Sequence, residues 1–395
     1  MNTSFANELH RRATHAMQTG LADADTQGGQ VAVSQYISDE QTTQELRLLR
    51  QFPQPVAGSS SIPTPGAWLS LTPFDVPLLL VRQSDGAVHA FLNVCRHRGA
   101  RVVAEGSGTE ARAFICPYHA WTYQPDGDLR GVPDSFGFPR LKKEKSGLKR
   151  LAAVERGGII WVVLDPTSPI RDIDTHLGPL MENLESLDGL HTPVSYAQRS
   201  LEVNANWKLL TDGIFEAYHF KVAHRQTIAH MFMNNLQLVD EFDLHRRLYL
   251  IKSRFQKEQP EADGFDPRKY GNLTYYFFPN TMILVQPDHG QLSYLEPLSA
   301  SRTRIHEITL IPTEPATDKA AAYWNANVDL YRRTLAEDYA LAESIQAGLA
   351  SGANDRLTFG SFEYSAPRFH TQLQQQLDSL QPSPQSHKPE KTATS

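Results

Sequence analysis

The chain has little cysteine, no long apolar stretch and no excess of positive charge, and each absence excludes a class of protein. Two cysteines in 395 residues cannot build the disulfide framework of a small secreted domain. No stretch approaches the roughly 20 apolar residues that span a bilayer, and the first residues lack the apolar segment of a signal peptide. A net charge of −6 gives no basic field that would attract nucleic acid or an anionic membrane. We therefore expect a soluble, intracellular protein that acts on a small molecule.

The length and texture of the chain predict more than one domain. Short β-rich runs separated by turns continue from Trp68 to about Pro166, which predicts an antiparallel β domain over residues 45–166. The remainder predicts an α+β domain over residues 167–380. Its patterns are helices at 177–188 and 206–231, several strands, and a long helix from about Ala320 to Ala350. Residues 1–44 are expected to form an arm, either mobile or in contact with another subunit, and residues 381–395 a disordered tail.

Each of the two cysteines is followed closely by a histidine. Cys95-x-His97 and Cys116-x-x-His119 fall in predicted loops of the β domain. Zinc would accept these ligands, but structural zinc sites usually pair two cysteines in one half and two histidines in the other. A Rieske [2Fe–2S] cluster takes one cysteine and one histidine from each loop, because two cysteines bind one iron and two histidines bind the other. The mixed halves therefore favour a Rieske cluster over zinc, or over structural cysteines with incidental histidines.

The segment 206–231 offers an acceptor for the electrons of such a cluster. Non-haem Fe(II) sites that activate O2 use two histidines and one carboxylate on one face of the metal. His219 and His224 are the candidate pair. On a regular helix, residues five apart differ by about 140°, so both could bind one ion only if the helix is distorted or ends between them. A structural pair of histidines in an aromatic-rich helix is the alternative.

The order CxH…CxxH followed by NWK…ExxYHxxxxH resembles the catalytic (alpha) subunit of the Rieske non-haem iron oxygenases, the aromatic-ring-hydroxylating dioxygenase family. The resemblance extends from about residue 45 to 360. It implies an antiparallel β Rieske domain followed by a helix-grip (START-like) catalytic domain, in which a sheet and a long helix enclose the substrate. It also implies that Asp338 completes the iron site with His219 and His224. Without the resemblance, Asp338 could equally be an exposed helix acid beside Glu337.

Three positions depart from the commonest pattern of the family. Glu216 stands three residues before the first iron histidine, where aspartate is usual. The resemblance implies that this acid links His219 to a Rieske histidine of the neighbouring subunit, and glutamate occurs here in branches acting on quaternary ammonium compounds. Asp212 replaces a frequent asparagine close to the iron, so Asp212 and Glu216 are candidate catalytic residues. Ala120 replaces a frequent glycine beside Trp121.

The resemblance implies the reaction and its partners. A flavin or iron–sulfur reductase, alone or through a ferredoxin, would pass NAD(P)H electrons to one cluster and one mononuclear Fe(II) per subunit of a bacterial, cytoplasmic homotrimer or a multiple of it. With O2, the enzyme would hydroxylate, dihydroxylate or oxidatively dealkylate its substrate. An apolar lining favours an aromatic substrate and a role in aromatic hydrocarbon catabolism. The pocket candidates, each of which could equally be core, are Phe215, Phe220, Phe232, Tyr276, Phe278, Ile283 and Val285.

Other functions remain open at this point. An aromatic cage for a quaternary ammonium compound such as carnitine or stachydrine would use the same residue types as a pocket for an aromatic ring. A redox-sensing, ligand-binding helix-grip protein would keep the Rieske loops without a second iron. A pure electron carrier would need no apolar cavity. Iron content beyond that of the cluster, together with turnover, separates these three classes.

Overall fold

The computed structural model describes residues 3–20, 22, 28–170 and 172–380, so the predicted tail 381–395 lies outside the described residues. The chain forms an α+β structure, as predicted. Its α-helices are α1 (Thr3–Thr19), α2 (Ser34–Ile37), α3 (Asp39–Gln51), α4 (Ile173–Glu185), α5 (Trp207–Ile214), α6 (Phe220–Ala223), α7 (Ser253–Glu258), α8 (Pro267–Tyr270), α9 (Asp318–Leu349) and α10 (Ser365–Leu380).

The strands divide between a β domain and a larger sheet. Those in the first half of the chain are β1 (Gly29–Ala32), β2 (Pro53–Gly58), β3 (Trp68–Leu71), β4 (Leu78–Arg82), β5 (Val88–Leu92), β6 (Gly106–Gly108), β7 (Phe114–Ile115), β8 (Thr122–Tyr123), β9 (Leu129–Gly131), β10 (Arg150–Leu151), β11 (Ala153–Arg156) and β12 (Ile159–Val163). The rest are β13 (Val194–Val203), β14 (Phe232–Phe242), β15 (His245–Lys252), β16 (Gly271–Phe277), β17 (Thr281–Val285), β18 (Gly290–Ser299), β19 (Arg302–Ile311) and β20 (Arg356–Phe359).

The β domain is built from three small antiparallel sheets, in the orders β10-β5-β4-β3-β6, β11-β12-β2 and β7-β8-β9. Strand β4 is buried on both faces, and its alternate side chains point in opposite directions. Leu78 and Leu80 join the large core shared with the rest of the molecule, whereas Leu79 and Val81 join a separate core that contains both cysteines. This second core fixes the loops after β5 and β7 in place.

The C-terminal half contains one antiparallel sheet of seven strands, in the order β13-β19-β18-β17-β16-β15-β14. Helix α9 lies over one face of this sheet and contacts α5. It begins where Thr317 caps it, because the Thr317 hydroxyl accepts a hydrogen bond from the backbone N–H of Ala320 at 3.2 Å. The predicted long helix is therefore present with nearly the predicted bounds.

The helical pattern over 206–231 is divided into short pieces and is not one continuous helix. Helix α5 ends at Ile214, α6 is one turn, and a 3-10 turn at Ala229–Met231 leads directly into β14. His219 and His224 flank α6 at its two ends. The two histidines are thus separated by one short helical turn and do not lie on one long helix.

Helix α1 packs on the catalytic half and is not a free arm. Leu9, Ala13 and Ala16 are buried in the large core, and His10 Nε2 donates to the carbonyl of Pro260 at 2.7 Å. The expectation of a mobile arm is therefore wrong for this segment, because its regularly spaced apolar side chains cover the sheet. In the described residues, no helix has the length and apolar character needed to cross a membrane.

Candidate iron and substrate site

The two Cys/His loops meet at one end of the β domain. Cys95 and Cys116 are buried free thiols, and the ring centroids of His97 and His119 lie 4.6 Å apart. Both loops close in the same way, since Gly99 N donates to Cys95 O and the equivalent N–H of the second loop donates to Cys116 O, each at 3.0 Å. The loops therefore present their four side chains together.

The surroundings of these side chains fit a cluster that is held through sulfur and imidazole nitrogen. The Tyr123 hydroxyl lies 3.2 Å from Cys95 Sγ and accepts from the backbone N–H of Arg96 at 2.9 Å. Burial raises the pKa of Tyr123, so its phenol remains able to donate to sulfur. His97 stacks on Trp121, and its buried Nδ1 has no hydrogen-bond partner among the described residues. Two thiols and two imidazoles, one with an unpartnered buried nitrogen, fit a Rieske [2Fe–2S] cluster.

A second group of metal-ligating atoms lies where α6 meets α9. Candidate ligand atoms of His219, His224 and Asp338 all lie within 4.8 Å of one another. Asp338 Oδ1 is 3.5 Å from His219 Nε2 and 3.1 Å from His224 Nε2. Two imidazoles and one carboxylate converging from one side are the donor set of a non-haem Fe(II) site. The structure thus brings together the three residues that the resemblance implied.

The outer nitrogens of both histidines are held by carboxylates. His219 Nδ1 donates to Glu216, whose other oxygen accepts the backbone N–H of His219 at 3.1 Å. His224 Nδ1 donates to Glu337 Oε2 at 2.8 Å, and the Thr227 hydroxyl donates to the same oxygen at 2.6 Å. Such partners fix the tautomer and orientation of a ligating imidazole. Each Nε2 is thereby left free to bind a metal.

Sequence reasoning missed Glu337 as a positioning residue. Burial alone would lower the pKa of His224, but the hydrogen bonds that its ring donates to Asp338 and Glu337 outweigh it and raise that pKa. Burial would raise the pKa of Glu337, whereas the hydrogen bonds from Thr227 and His224 lower it. Neighbouring positions on a helix point about 100° apart. The local sequence pattern therefore gave no sign that Glu337 and Asp338 both contact His224.

A cavity of about 670 Å³ opens beside these residues. Its walls are the inner face of the seven-stranded sheet, α5, and one face of α9. Residues three or four positions apart lie on one face of a helix, and several residues of α9 at this spacing line the cavity. They include Tyr331, Leu335, Asp338, Ala342, Ile345 and Leu349. The metal-ligating aspartate is thus part of the cavity wall.

Two family models match adjacent parts of the chain. One describes the Rieske [2Fe-2S] domain and matches residues 52–142. The other describes the catalytic domain of the ring hydroxylating alpha subunit and matches residues 190–379. The chain belongs to the Rieske oxygenases. It is therefore an oxidoreductase of the Rieske non-haem iron type, with one domain for the cluster and one for mononuclear iron.

Several relatives of this Rieske oxygenase carry named activities. The carnitine monooxygenase oxygenase subunit of Acinetobacter baumannii is 28% identical over 303 residues, 75% of this chain and 78% of that relative. The glycine betaine monooxygenase oxygenase subunit of Chromohalobacter salexigens is 35% identical over 173 residues, 44% of this chain and 38% of that relative. The crystal structure of the quaternary ammonium Rieske monooxygenase CntA with L-carnitine shares the fold, with a TM-score of 0.72, 23% identity and coverage of 89% of this chain and 96% of that chain.

Of the predicted pocket residues, only Phe220 and Phe232 line the cavity of this Rieske oxygenase. Ile283 and Val285 point to the opposite face of the sheet, because Met282 and Leu284 take the cavity side of β17 and side chains alternate along a strand. The other three predictions are also wrong. They are Phe215, Tyr276 and Phe278, whose rings pack around Phe369 of α10 in a buried core.

Asp212 lines the cavity, but its carboxylate is engaged elsewhere. Its Oδ2 accepts from the Tyr36 hydroxyl at 2.6 Å, and its Oδ1 lies 3.0 Å from His370 Nε2. Burial, reinforced by the charge of Asp212, raises the pKa of Tyr36. This buried group joins α2, α5 and α10. A catalytic role for Asp212 stays a prediction.

The non-enzymatic alternatives do not account for these features. A pure electron carrier requires neither a cavity nor a second donor set, and a redox sensor requires no two-histidine, one-carboxylate group. The structure contains both features in one domain, and the matched family consists of oxygenases. The enzyme prediction is confirmed at the level of the family.

Proposed function

We propose that this chain is the terminal oxygenase of a monooxygenase that oxidises a quaternary ammonium compound. The relatives named for carnitine and glycine betaine support this substrate class. Aromatic hydrocarbon catabolism, predicted above from the apolar pocket, is not supported by them. The observation that carries the proposal is the charge of the cavity wall.

Four carboxylates line the cavity, and no lysine or arginine does so among the described residues. They belong to Asp212, Glu216, Asp338 and Glu363. One of them, Asp338, is assigned to iron, and the other three add negative charge to the cavity wall. Charges in an enclosed site interact more strongly than in water. A cavity with this lining attracts a cation and repels an anion.

The residues around the iron position have separable roles. His219, His224 and Asp338 would hold the metal, which would supply the oxidising chemistry with O2 as the oxidant and with electrons delivered through the cluster. Glu216 and Glu337 keep the outer imidazole protons in place. The apolar side chains of α9 and the sheet exclude water, which strengthens the electrostatic interactions of the site.

We also propose that the protein assembles as a ring of three copies, since two apolar patches are exposed on different parts of its surface. Beside the cluster loops, Tyr118 is 55% and Phe136 is 86% exposed. Beside Glu216, Tyr218 is 56% and Val222 is 80% exposed. Contact between unlike patches of successive copies is a heterologous interface, and it forms a ring when the rotation from copy to copy closes. Such a ring would place the cluster of one copy beside Glu216 of the next.

The electron source belongs to the same proposal. A flavin and iron–sulfur reductase, or a ferredoxin, would deliver NAD(P)H electrons to the cluster. The bacterial cytoplasm is the compartment that would supply these partners. This location stays a prediction.

A substrate panel tests the proposal directly. With both iron centres loaded and an electron-donating reductase present, we expect carnitine, glycine betaine or choline to stimulate NADH oxidation with formation of product. Benzoate and aryl ethers should not. Turnover of the aromatic compounds alone would contradict the proposal.

The variant Glu363→Gln tests whether the negative charge of the cavity wall favours a cationic substrate. Burial and the nearby charges of Glu216 and Asp212 raise the pKa of Glu363, although the Gly360 N–H opposes this. Glutamine keeps an acceptor for that N–H and removes the charge. We expect the KM for a quaternary ammonium substrate to rise several-fold. The affinity for 3,3-dimethylbutan-1-ol, the uncharged isostere of choline, should not change.

A further inference from the structure

Gln237 on β14 carries a hydrogen-bond donor that nothing in the described part of the chain satisfies. Its side chain lines the cavity and the residue is only 9% exposed. Its Nε2 is buried without a hydrogen-bond partner. Buried polar groups are almost always paired, and an unpaired donor costs stability. The amide is therefore poised for a partner that enters with the ligand.

The strand register places this donor on the side of the cavity near the iron ligands. Gln237 pairs with Leu250 across β14 and β15, and Leu250 pairs with Asn272 across β15 and β16. Directly paired residues of an antiparallel sheet share a face, and all three line the cavity. Leu250 shares a small core with Phe232, against which Phe220 packs. The ring of Phe220 in turn lies 4.9 Å from that of His224.

The charge of the cavity restricts the kind of acceptor that suits this donor. A carboxylate held here would share the cavity with four protein carboxylates, and no lysine or arginine of the described cavity wall would neutralise it. An ether, hydroxyl or carbonyl oxygen accepts from an amide N–H without that repulsion. An uncharged oxygen is thus the acceptor that fits.

We propose that Gln237 is a specificity-determining residue that donates from Nε2 to an uncharged oxygen atom of the substrate. The inference deepens the proposed function, because it distinguishes among quaternary ammonium compounds. Those that carry a neutral oxygen are favoured over those that carry a carboxylate. A site built to pair a substrate oxygen discriminates against the analogue that lacks it.

Paired probes isolate this hydrogen bond. The probes are ω-methoxyalkyl trimethylammonium ions of increasing chain length, each compared with the isostere in which a methylene replaces the ether oxygen. An ether oxygen only accepts, so it reports on the Nε2 donor. We expect isothermal titration of the iron-loaded protein to show, for at least one chain length, about tenfold tighter binding of the ether. The ω-carboxylate of the same length should bind more weakly than the ether.

Variants assign the preference to the residue. Gln237→Met keeps the length of the side chain without a donor, and Gln237→Glu leaves acceptors only, so both should reduce the ether-to-methylene ratio to about one. Gln291 is the matched control, since it is a buried glutamine of the same sheet whose Nε2 is also unpartnered among the described residues but which does not line the cavity. In Gln291→Met the ratio should persist. An unchanged ratio in Gln237→Met, or tightest binding of the carboxylate, would overturn the inference.

A second series separates this inference from the proposed function. Probes in which a tert-butyl group replaces trimethylammonium carry no charge. If they bind as tightly as the cations, the quaternary ammonium proposal fails, while the ether-to-methylene ratio still tests Gln237. A ratio of about one in the wild-type protein for both series would overturn the role of Gln237 alone. Absence of binding by either series would contradict both proposals.

Discussion

Glu337 contacts no iron, yet we expect it to control how well iron is held. Its carboxylate orients His224 through the 2.8 Å hydrogen bond to Nδ1. Glu337→Gln keeps the size and removes the charge. We predict a loss of about tenfold to a hundredfold in activity or iron affinity, as for other partners of ligating histidines. Iron analysis should show loss from the mononuclear site while the visible spectrum of the cluster persists.

Asp329 provides the control for this prediction. It is an exposed acid on the same helix, α9, and Asp329→Asn should leave iron content and turnover unchanged. Loss of the cluster spectrum in Glu337→Gln would show that the carboxylate supports the fold as a whole. That outcome would contradict a local positioning role.

Ala120 occupies a backbone conformation that normally favours glycine. Its φ is 55°, in the left-handed region that costs a residue with a Cβ atom about 1 kcal/mol. The equivalent position of the other loop is Gly99, with φ of 79°. We predict that Ala120→Gly raises the free energy of unfolding of the iron-loaded protein by roughly 0.5 kcal/mol, as measured by chemical denaturation.

Ala100 gives the matched comparison for Ala120. It is partly buried against the core that contains both cysteines and its φ is not positive, whereas Ala120 is exposed. Ala100→Gly should lower the free energy of unfolding by roughly 0.5–1 kcal/mol, because glycine is more flexible in the unfolded chain. Equal destabilisation by both substitutions would show that strain at Ala120 is negligible.

The metal-ligating side chains were predicted better than their supports. Cys95, His97, Cys116 and His119 could be found because two short loops supply all four. The partners of Asp212 could not be found, since Tyr36 and His370 lie far from it in sequence and meet it only through packing. Local spacing identifies ligands within one loop or turn. Contacts between distant segments require the tertiary structure.

At the scale of the elements, helix α5 depends on an ion pair with α3. Lys208 Nζ donates to both carboxylate oxygens of Glu45, at 2.6 and 2.8 Å, and both residues are fully buried. The indole of Trp207 donates to the same carboxylate at 2.7 Å. Burial lowers the pKa of Lys208, although Glu45 opposes the change. This pair fixes the helix that carries Leu209 and Asp212 to the cavity.

We predict that Glu45→Gln lowers the free energy of unfolding by about 3–5 kcal/mol, because it leaves the ammonium of Lys208 buried without its counter-charge. Denaturant unfolding measures the change. The double variant Glu45→Gln/Lys208→Met should be markedly more stable than the single variant, since the introduced amide oxygen can still accept from Trp207 and no charge remains buried. A double variant no more stable than the single one would mean that the ion pair is not the cause.

Helices and strands were predicted correctly where the hydrophobic residues repeat with one constant period, and were missed where that period changes. Helix α9 keeps its cavity-facing residues at steady spacing and lies close to its predicted bounds. The segment 206–231 contains three short pieces, α5, α6 and a 3-10 turn, and local propensity does not reveal this division. On β17 the apolar residues on both faces are largely buried. Hydrophobicity alone could not show that Leu284, and not Ile283, faces the cavity.

At the scale of the whole molecule, Glu216 links the iron site to the proposed assembly. One of its oxygens accepts from His219 Nδ1, and the other accepts from backbone N–H groups. A carboxylate has about four acceptor positions, so it retains capacity for a histidine N–H of a neighbouring copy. We therefore predict that Glu216→Gln leaves both metal centres and the proposed trimer intact but lowers product formation by about tenfold to a hundredfold.

The rate of cluster reoxidation tests whether electrons cross between copies at this residue. Stopped-flow mixing of the reduced protein with substrate and O2 should show slow reoxidation in Glu216→Gln. Glu216→Asp should be milder, because aspartate keeps the charge and both oxygens and is the residue that the resemblance gives as usual there. Sedimentation of each variant confirms the assembly state. Wild-type reoxidation by an intact Glu216→Gln trimer would mean that the electron path avoids Glu216, and a ring built on the two apolar patches would then need another explanation.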